Sequence, residues 1–120
     1  MKAKAYHGDC LNIMQEFDAE SIDLIYLDPP FFTQKVHSLR TRDRSKEFSF
    51  DDLWSSHFEY GNFLHERLKE MWRVMSPTGA IFFHCDRNAV HIARILLDEV
   101  FGPDMFRSEI IWHYIGDNLR

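Results

Sequence analysis

Glycine is scarce in this 120-residue chain: five in all, at positions 8, 61, 79, 102 and 116, no two closer than fourteen residues. A glycine-rich loop of the GxG kind that cradles phosphates is thereby excluded. Cysteine is scarcer still. Cys10 and Cys85 form no CxxC pair, so neither a disulfide framework nor a zinc ribbon is present, and a reducing cytoplasm suits the composition. No stretch approaches the roughly eighteen apolar residues of a membrane span, and the segment Met1 to Asp9 has no apolar h-region, so we expect neither membrane insertion nor secretion. Positive charge is in deficit, 14 Lys and Arg against 19 Asp and Glu, for a formal charge of −5. A nucleic-acid-coating protein is excluded, and any contact with a polyanion must be local. Internal repeats and low-complexity tracts are also missing.

What is there suffices for one domain over residues 1–120: 45% of side chains are apolar and 15% aromatic. A chain of this size buries roughly two-thirds of its unfolded surface, enough for a single core. Helix-like and strand-like patterns alternate. Asp9 can cap a short helix whose apolar positions Cys10, Ile13, Met14 and Phe17 share one face. Ile22 to Leu27 is a nearly continuous apolar run, the pattern of a parallel strand covered on both faces. Between Phe58 and Met75, the residues Leu64, Leu68, Met71, Trp72 and Met75 recur at helical spacing, and Ser76-Pro77-Thr78-Gly79 stops the pattern. A second buried strand is expected over Ala80 to Cys85, then a helix capped by Asp86, carrying Ala89, Ala93, Leu96, Leu97 and Val100, and closed by Gly102 and Pro103. A third strand is expected from Ile110 to Tyr114. This order implies an α/β fold, a mostly parallel sheet with helices on its faces.

The interval from residue 32 to 57 resists that scheme. It is polar, holds Lys35, Arg40, Arg42, Arg44 and Lys46, and lacks sustained periodicity, so it reads as a long basic loop. Its second half, Phe48 to Trp54, is aromatic enough to dock back on the domain.

Asp28-Pro29-Pro30-Phe31 follows the first strand directly, and ligands of open α/β sheets bind beyond the carboxyl ends of strands. Two prolines fix φ and remove two backbone donors, so the turn presents outward carbonyls, a carboxylate and an aromatic face rigidly. Such acceptors beside a ring suit a flat ligand that carries an amine. By chance an Asp, Asn or Ser followed by Pro-Pro-aromatic arises in about one chain of this length in a hundred or fewer, with proline at about 5% of residues.

These residues resemble the amino-methyltransferases that use S-adenosylmethionine, in particular DNA methyltransferases acting on the exocyclic amine of adenine or cytosine. Asp28-Pro29-Pro30-Phe31 matches their motif IV, and Gly8-Asp9-Cys10 resembles the short motif before the catalytic strand. Arg73 to Gly79 resembles the helix-to-strand link, and Phe106 to Trp112 a later strand. The motif order is that of the family's beta-type permutation, in which the target-recognition region and a glycine-rich cofactor loop follow; neither is found in this chain. The resemblance implies a partial Rossmann-like methyltransferase domain and a methyl donor, S-adenosylmethionine, with Asp9 and Asp28 at its site. Asp28, Pro29, Pro30 and Phe31 would be catalytic: Asp28 and the Pro29 carbonyl accept the two amine N–H bonds of a flipped base, and Phe31 stacks on it. Asp at the first position is associated mainly with adenine, Ser mainly with cytosine. Lys35, Arg40, Arg42, Arg44 and Lys46 would contact the phosphates of double-stranded DNA.

Other readings stand beside these. Asp28 also suits a turn carboxylate and Asp9 a plain helix cap, while a charge run such as 35–46 is often only a solvated loop. His84, Cys85, Asp86 and His91 lack metal-ligand spacing, so no metal is expected. Related Pro-Pro-aromatic turns methylate RNA or a protein glutamine amide. A fragment that binds only DNA or a partner chain, as a homodimer or beside a complementing chain, is the rival of another class.

Overall fold

The computed structural model describes residues 2–34, 36–40, 46–51 and 53–113. Two parallel strands lie at its centre. β1 (Ile22–Leu27) runs beside β4 (Met75–Phe83), with Leu24 opposite Ala80, Tyr26 opposite Phe82 and Leu27 opposite Phe83. Parallel neighbours need a long crossover, and here it contains α2 (His57–Val74). A short α1 (Cys10–Met14) precedes β1, while α3 (Val90–Phe101) and a 3₁₀ turn (Pro103–Met105) follow β4. The chain is α/β.

Local chemistry sets the helix starts. Asp9 accepts the Leu11 N–H at 2.9 Å, the expected cap of α1. For α2, the Ser56 hydroxyl accepts the Glu59 N–H at 3.1 Å, and the Glu59 carboxylate reaches back to the N–H and hydroxyl of Ser55, a capping box displaced by one residue. Those hydrogen bonds hold the Glu59 carboxyl below the usual carboxylate range. Asp86 caps the turn ahead of α3 rather than the helix itself, whose N-cap is Ala89. At the other end Gly102, at φ 93°, supplies the left-handed residue that stops the helix.

Tyr60, Leu64, Leu68, Met71 and Val74 form the buried stripe of α2. With Met14 and Phe101 the last three make the main core, against which Ile25, Leu27, Ile81 and Phe83 pack from the strands. Each fully buried aliphatic side chain of this kind stabilises the fold by about 1.5–3 kcal/mol. A satellite cluster of Tyr60, Leu64 and Ala89 gathers Phe32, Trp54 and Cys85 at the carboxyl ends of the strands.

Four further expectations need correction. The three helices of the described residues share the core on one sheet face, whereas Leu24, Tyr26 and Phe82 on the other face are 61%, 68% and 47% exposed. The apolar run of β1 announced two faces to be covered, but covering the second requires protein that these residues do not supply. Second, Ser76-Pro77-Thr78-Gly79 does not precede the strand but is a bulge inside β4, where pairing jumps from Ile22–Met75 to Leu24–Ala80. A Cβ on Gly79 would lie 2.5 Å from the Met75 side chain and 3.1 Å from the Ile22 carbonyl, so close approach demands glycine there.

Third, the interval 32–57 contains an antiparallel hairpin separate from the main sheet. β2 (Val36–Arg40) pairs with β3 (Glu47–Asp51), Val36 opposite Asp51 and Arg40 opposite Glu47. A hairpin supplies its own partner strand, so it forms without the long periodic pattern that was missing. Its base is pinned by Gln34, whose carboxamide donates to the Trp54 carbonyl and accepts from the Trp54 N–H, both at 2.8 Å. Fourth, residues 110–113 form no strand, and Ile110, Ile111 and Trp112 are exposed. Extended backbone becomes a strand only beside a partner edge, and none lies there among the described residues. Tyr114 lies outside them. No helix among them is long and apolar enough to cross a membrane.

Candidate active site

The turn from Asp28 to Phe31 leaves the carboxyl end of β1, next to His84 at the end of β4, whose N–H donates to the Leu27 carbonyl at 2.8 Å. Asp28 is exposed and its carboxylate makes no hydrogen bond or ion pair with the described residues. Pro29 is buried, and its carbonyl has no intramolecular partner among them either. One residue further on, the Pro30 carbonyl accepts the Tyr60 hydroxyl at 3.0 Å. Thus the turn has two unclaimed acceptors followed by one that is anchored. Phe31 lies half-buried with its ring 5.7 Å from His84, which also stacks on Tyr26 at 6.4 Å. Phe32 turns towards the satellite cluster, 4.4 Å from His57 and 5.4 Å from Tyr60.

Asp9 is not joined to this turn by any hydrogen bond or ion pair. One of its oxygens accepts from Leu11 and the other from Arg67 at 2.7 Å. Arg67, in turn, lies 3.6 Å above the Phe63 ring. Of the basic residues, Arg40 ends β2 and Lys46 is exposed just before β3, whereas Lys35, Arg42 and Arg44 lie outside the described residues. Among the described residues no group of three or more His, Cys, Asp or Glu is arranged to hold a metal ion. Burial pushes the Cys85 thiol up from its usual range, helped by the negative charges of Asp86 and Glu109.

Tyr60 was not singled out from the sequence, although a signal existed. It lies four residues before Leu64 and eight before Leu68, on the stripe that must be buried, and a buried tyrosine hydroxyl needs a partner. The spacing could not say that the partner would be the second proline of the turn.

A parallel α/β pair that ends in an acidic Pro-Pro-aromatic turn is consistent with the partial methyltransferase fold that the sequence resembles. Residues 22–119 match the family model described as DNA methylase, and the chain belongs to that family. It is 40% identical over 79 residues to the type II methyltransferase M.HinfI of Haemophilus influenzae, which covers 62% of this chain and 22% of that protein. To M.KpnI of Klebsiella pneumoniae it is 32% identical over 109 residues, 88% of this chain and 25% of the relative. The Mod subunit of the type III restriction-modification enzyme EcoP15I of Escherichia coli is 27% identical over 133 aligned positions, 92% of this chain and 21% of that subunit. The chain spans about a quarter or less of the length of these relatives.

Proposed function

We propose that the chain is the amine-gripping part of a DNA methyltransferase that modifies the exocyclic amine of a flipped base, adenine N6 in preference to cytosine N4. The observation that carries this reading is the pair of unclaimed acceptors at the strand end, the Asp28 carboxylate and the Pro29 carbonyl. An exocyclic ring amine is a poor nucleophile because its lone pair is delocalised. Two acceptors fixed in direction draw its N–H bonds out of the ring plane and free the lone pair, without a strong base. Prolines give the turn its rigidity, and the Tyr60 bond to Pro30 holds its far side. The target must leave the duplex first, and Phe31 offers it a ring face. Arg40 and Lys46, with Lys35, Arg42 and Arg44, supply the phosphate contacts.

The methyl donor of such enzymes is S-adenosylmethionine, which supplies an electrophilic methyl group when bound. Asp28 is free to face that site, whereas Asp9 already has both oxygens engaged, so the fit of these residues to the cofactor is confined to the Asp28 end of the sheet. The bare face of Leu24, Tyr26 and Phe82 favours a second, compatible reading: a complementing methylase chain docks here to complete the domain.

Asp28→Ala tests the activation scheme. In the full-length protein methyl transfer should fall at least about a hundredfold, as for other lost preorganised groups, while DNA binding by gel shift persists. Retained transfer would sink the proposal, and transfer to RNA or to a glutamine peptide but not to DNA would replace its substrate.

A further inference from the structure

We propose that the cleft beside the turn is a phosphate subsite, in which Arg87 grips a backbone phosphate of the DNA strand whose base enters the Asp28 turn; the identity of the strand rests on the methylation reading above. The cleft has a volume of about 420 Å³ and is lined by Phe32, Thr33, His57, Arg87, Asn88 and His91. It begins one residue beyond Phe31 and ends at the first turn of α3. Among the described residues no carboxylate lines it, in a chain whose formal charge is −5.

Arg87 differs from the three arginines of the helices, and from Arg107, whose guanidinium donates to the Asp104 carbonyl at 2.9 Å. Arg67, Arg73 and Arg94 hold Asp9, Glu70 and Asp98 at 2.7, 2.6 and 3.0 Å, whereas Arg87 is exposed and has no acidic partner among the described residues. The acid next to it does not neutralise it by contact. Asp86 spends its oxygens on the Asn88 N–H at 3.0 Å, the Asn88 side-chain amide at 2.7 Å and the Ala89 N–H at 3.1 Å. That turn also fixes the backbone from which Arg87 projects. Across the cleft the rings of His57 and His91 lie 6.3 Å apart, and each imidazole carries an N–H donor even when neutral.

The described lining is therefore rich in donors and holds no acid, which selects an anion. A guanidinium fork matches two phosphate oxygens better than any other common group. The cleft is open, so it suits a strand passing through rather than an enclosed small molecule. Phe32, tilted against His57 with ring centroids 4.4 Å apart, offers an apolar wall to the sugar beside the phosphate.

Binding of the full-length protein to a random-sequence DNA duplex, followed by fluorescence anisotropy over a range of salt, tests this. Arg87→Ala should weaken binding about tenfold, equally for unrelated sequences, and lower the slope of log affinity against log salt by about one. Arg87→Lys should keep the slope and recover part of the affinity. Unaltered thermal melting shows that both variants fold, as an exposed turn residue allows. An unchanged affinity and slope in Arg87→Ala overturns the subsite. So does a loss confined to S-adenosylmethionine binding, measured by calorimetry, which would assign the cleft to the cofactor. Asp28→Ala, assayed alongside, separates the two ideas: if it still methylates while Arg87→Ala loses its phosphate contact, the turn chemistry fails and the subsite stands. If the wild-type protein binds no DNA, both fall.

Discussion

Tyr60 is wholly buried and its hydroxyl donates to the Pro30 carbonyl at 3.0 Å, so a core residue of α2 steadies the turn that carries Asp28. Tyr60→Phe keeps the ring, and with it the packing on Phe32 and Trp54, and removes the hydroxyl that donates to Pro30. We expect a stability loss of about 0.5–1.5 kcal/mol by urea denaturation and a larger proportional loss in kcat than in DNA affinity. An effect on stability with kcat intact would make the bond merely structural. The two thiols offer a second test at this scale. Burial and the neighbouring acids raise the Cys85 pKa, so at mildly alkaline pH its thiolate fraction stays below that of an ordinary thiol, while Cys10 is exposed. Iodoacetamide should therefore label Cys10 first, with Cys85 catching up only as pH rises past the usual thiol range, as mass spectrometry would resolve. The presence and position of Asp28-Pro29-Pro30-Phe31 were legible at once because four adjacent letters and the strand before them suffice. The Tyr60 bond was not, since it joins residues thirty positions apart.

Among the elements, α1, β1 and α2 stood out in the sequence because each has a local period and a cap or breaker beside it. The hairpin did not. Its strands are five residues each and its pairing stays within the segment, too short for a pattern to rise above the polar composition. The clamp at its base is tertiary. Gln34, itself at φ 56°, satisfies both backbone groups of Trp54 as a neighbouring strand would. Gln34→Ala should leave the main core intact and loosen the hairpin's attachment. Hydrogen exchange would report this as an increase of about tenfold or more at the Trp54 amide, for the loss of a bond worth roughly 1–1.5 kcal/mol. Unchanged exchange at that amide would show that the packing of Trp54 on Tyr60 and Phe63, at 5.1 and 5.0 Å, holds the hairpin by itself.

At the scale of the whole molecule, among the described residues, one sheet face is filled by three helices and the other is left exposed. Leu24, Tyr26 and Phe82 form an apolar surface of the kind that proteins seldom leave to water. Residues 1–120 expressed alone should therefore gain apparent mass with concentration in analytical ultracentrifugation, and the double substitution Tyr26→Ser with Phe82→Ser should suppress the gain. A monomer at every concentration would argue against a docking face. The sequence by itself determined the main alternation of strands and helices, the Leu64, Leu68 and Met71 part of the buried stripe of α2, though Trp72 is 49% exposed and Met75 begins β4, and the acidic Pro-Pro-aromatic turn at a strand end, because periodicity, capping and proline stiffness act between near neighbours. Only the tertiary structure decided which side of the sheet the helices cover, where Gln34 and Tyr60 find their partners, and that Arg87 faces a cleft with no acid among the described residues. Those outcomes depend on which distant backbones and side chains meet, and no local pattern of letters encodes a meeting across thirty residues of chain.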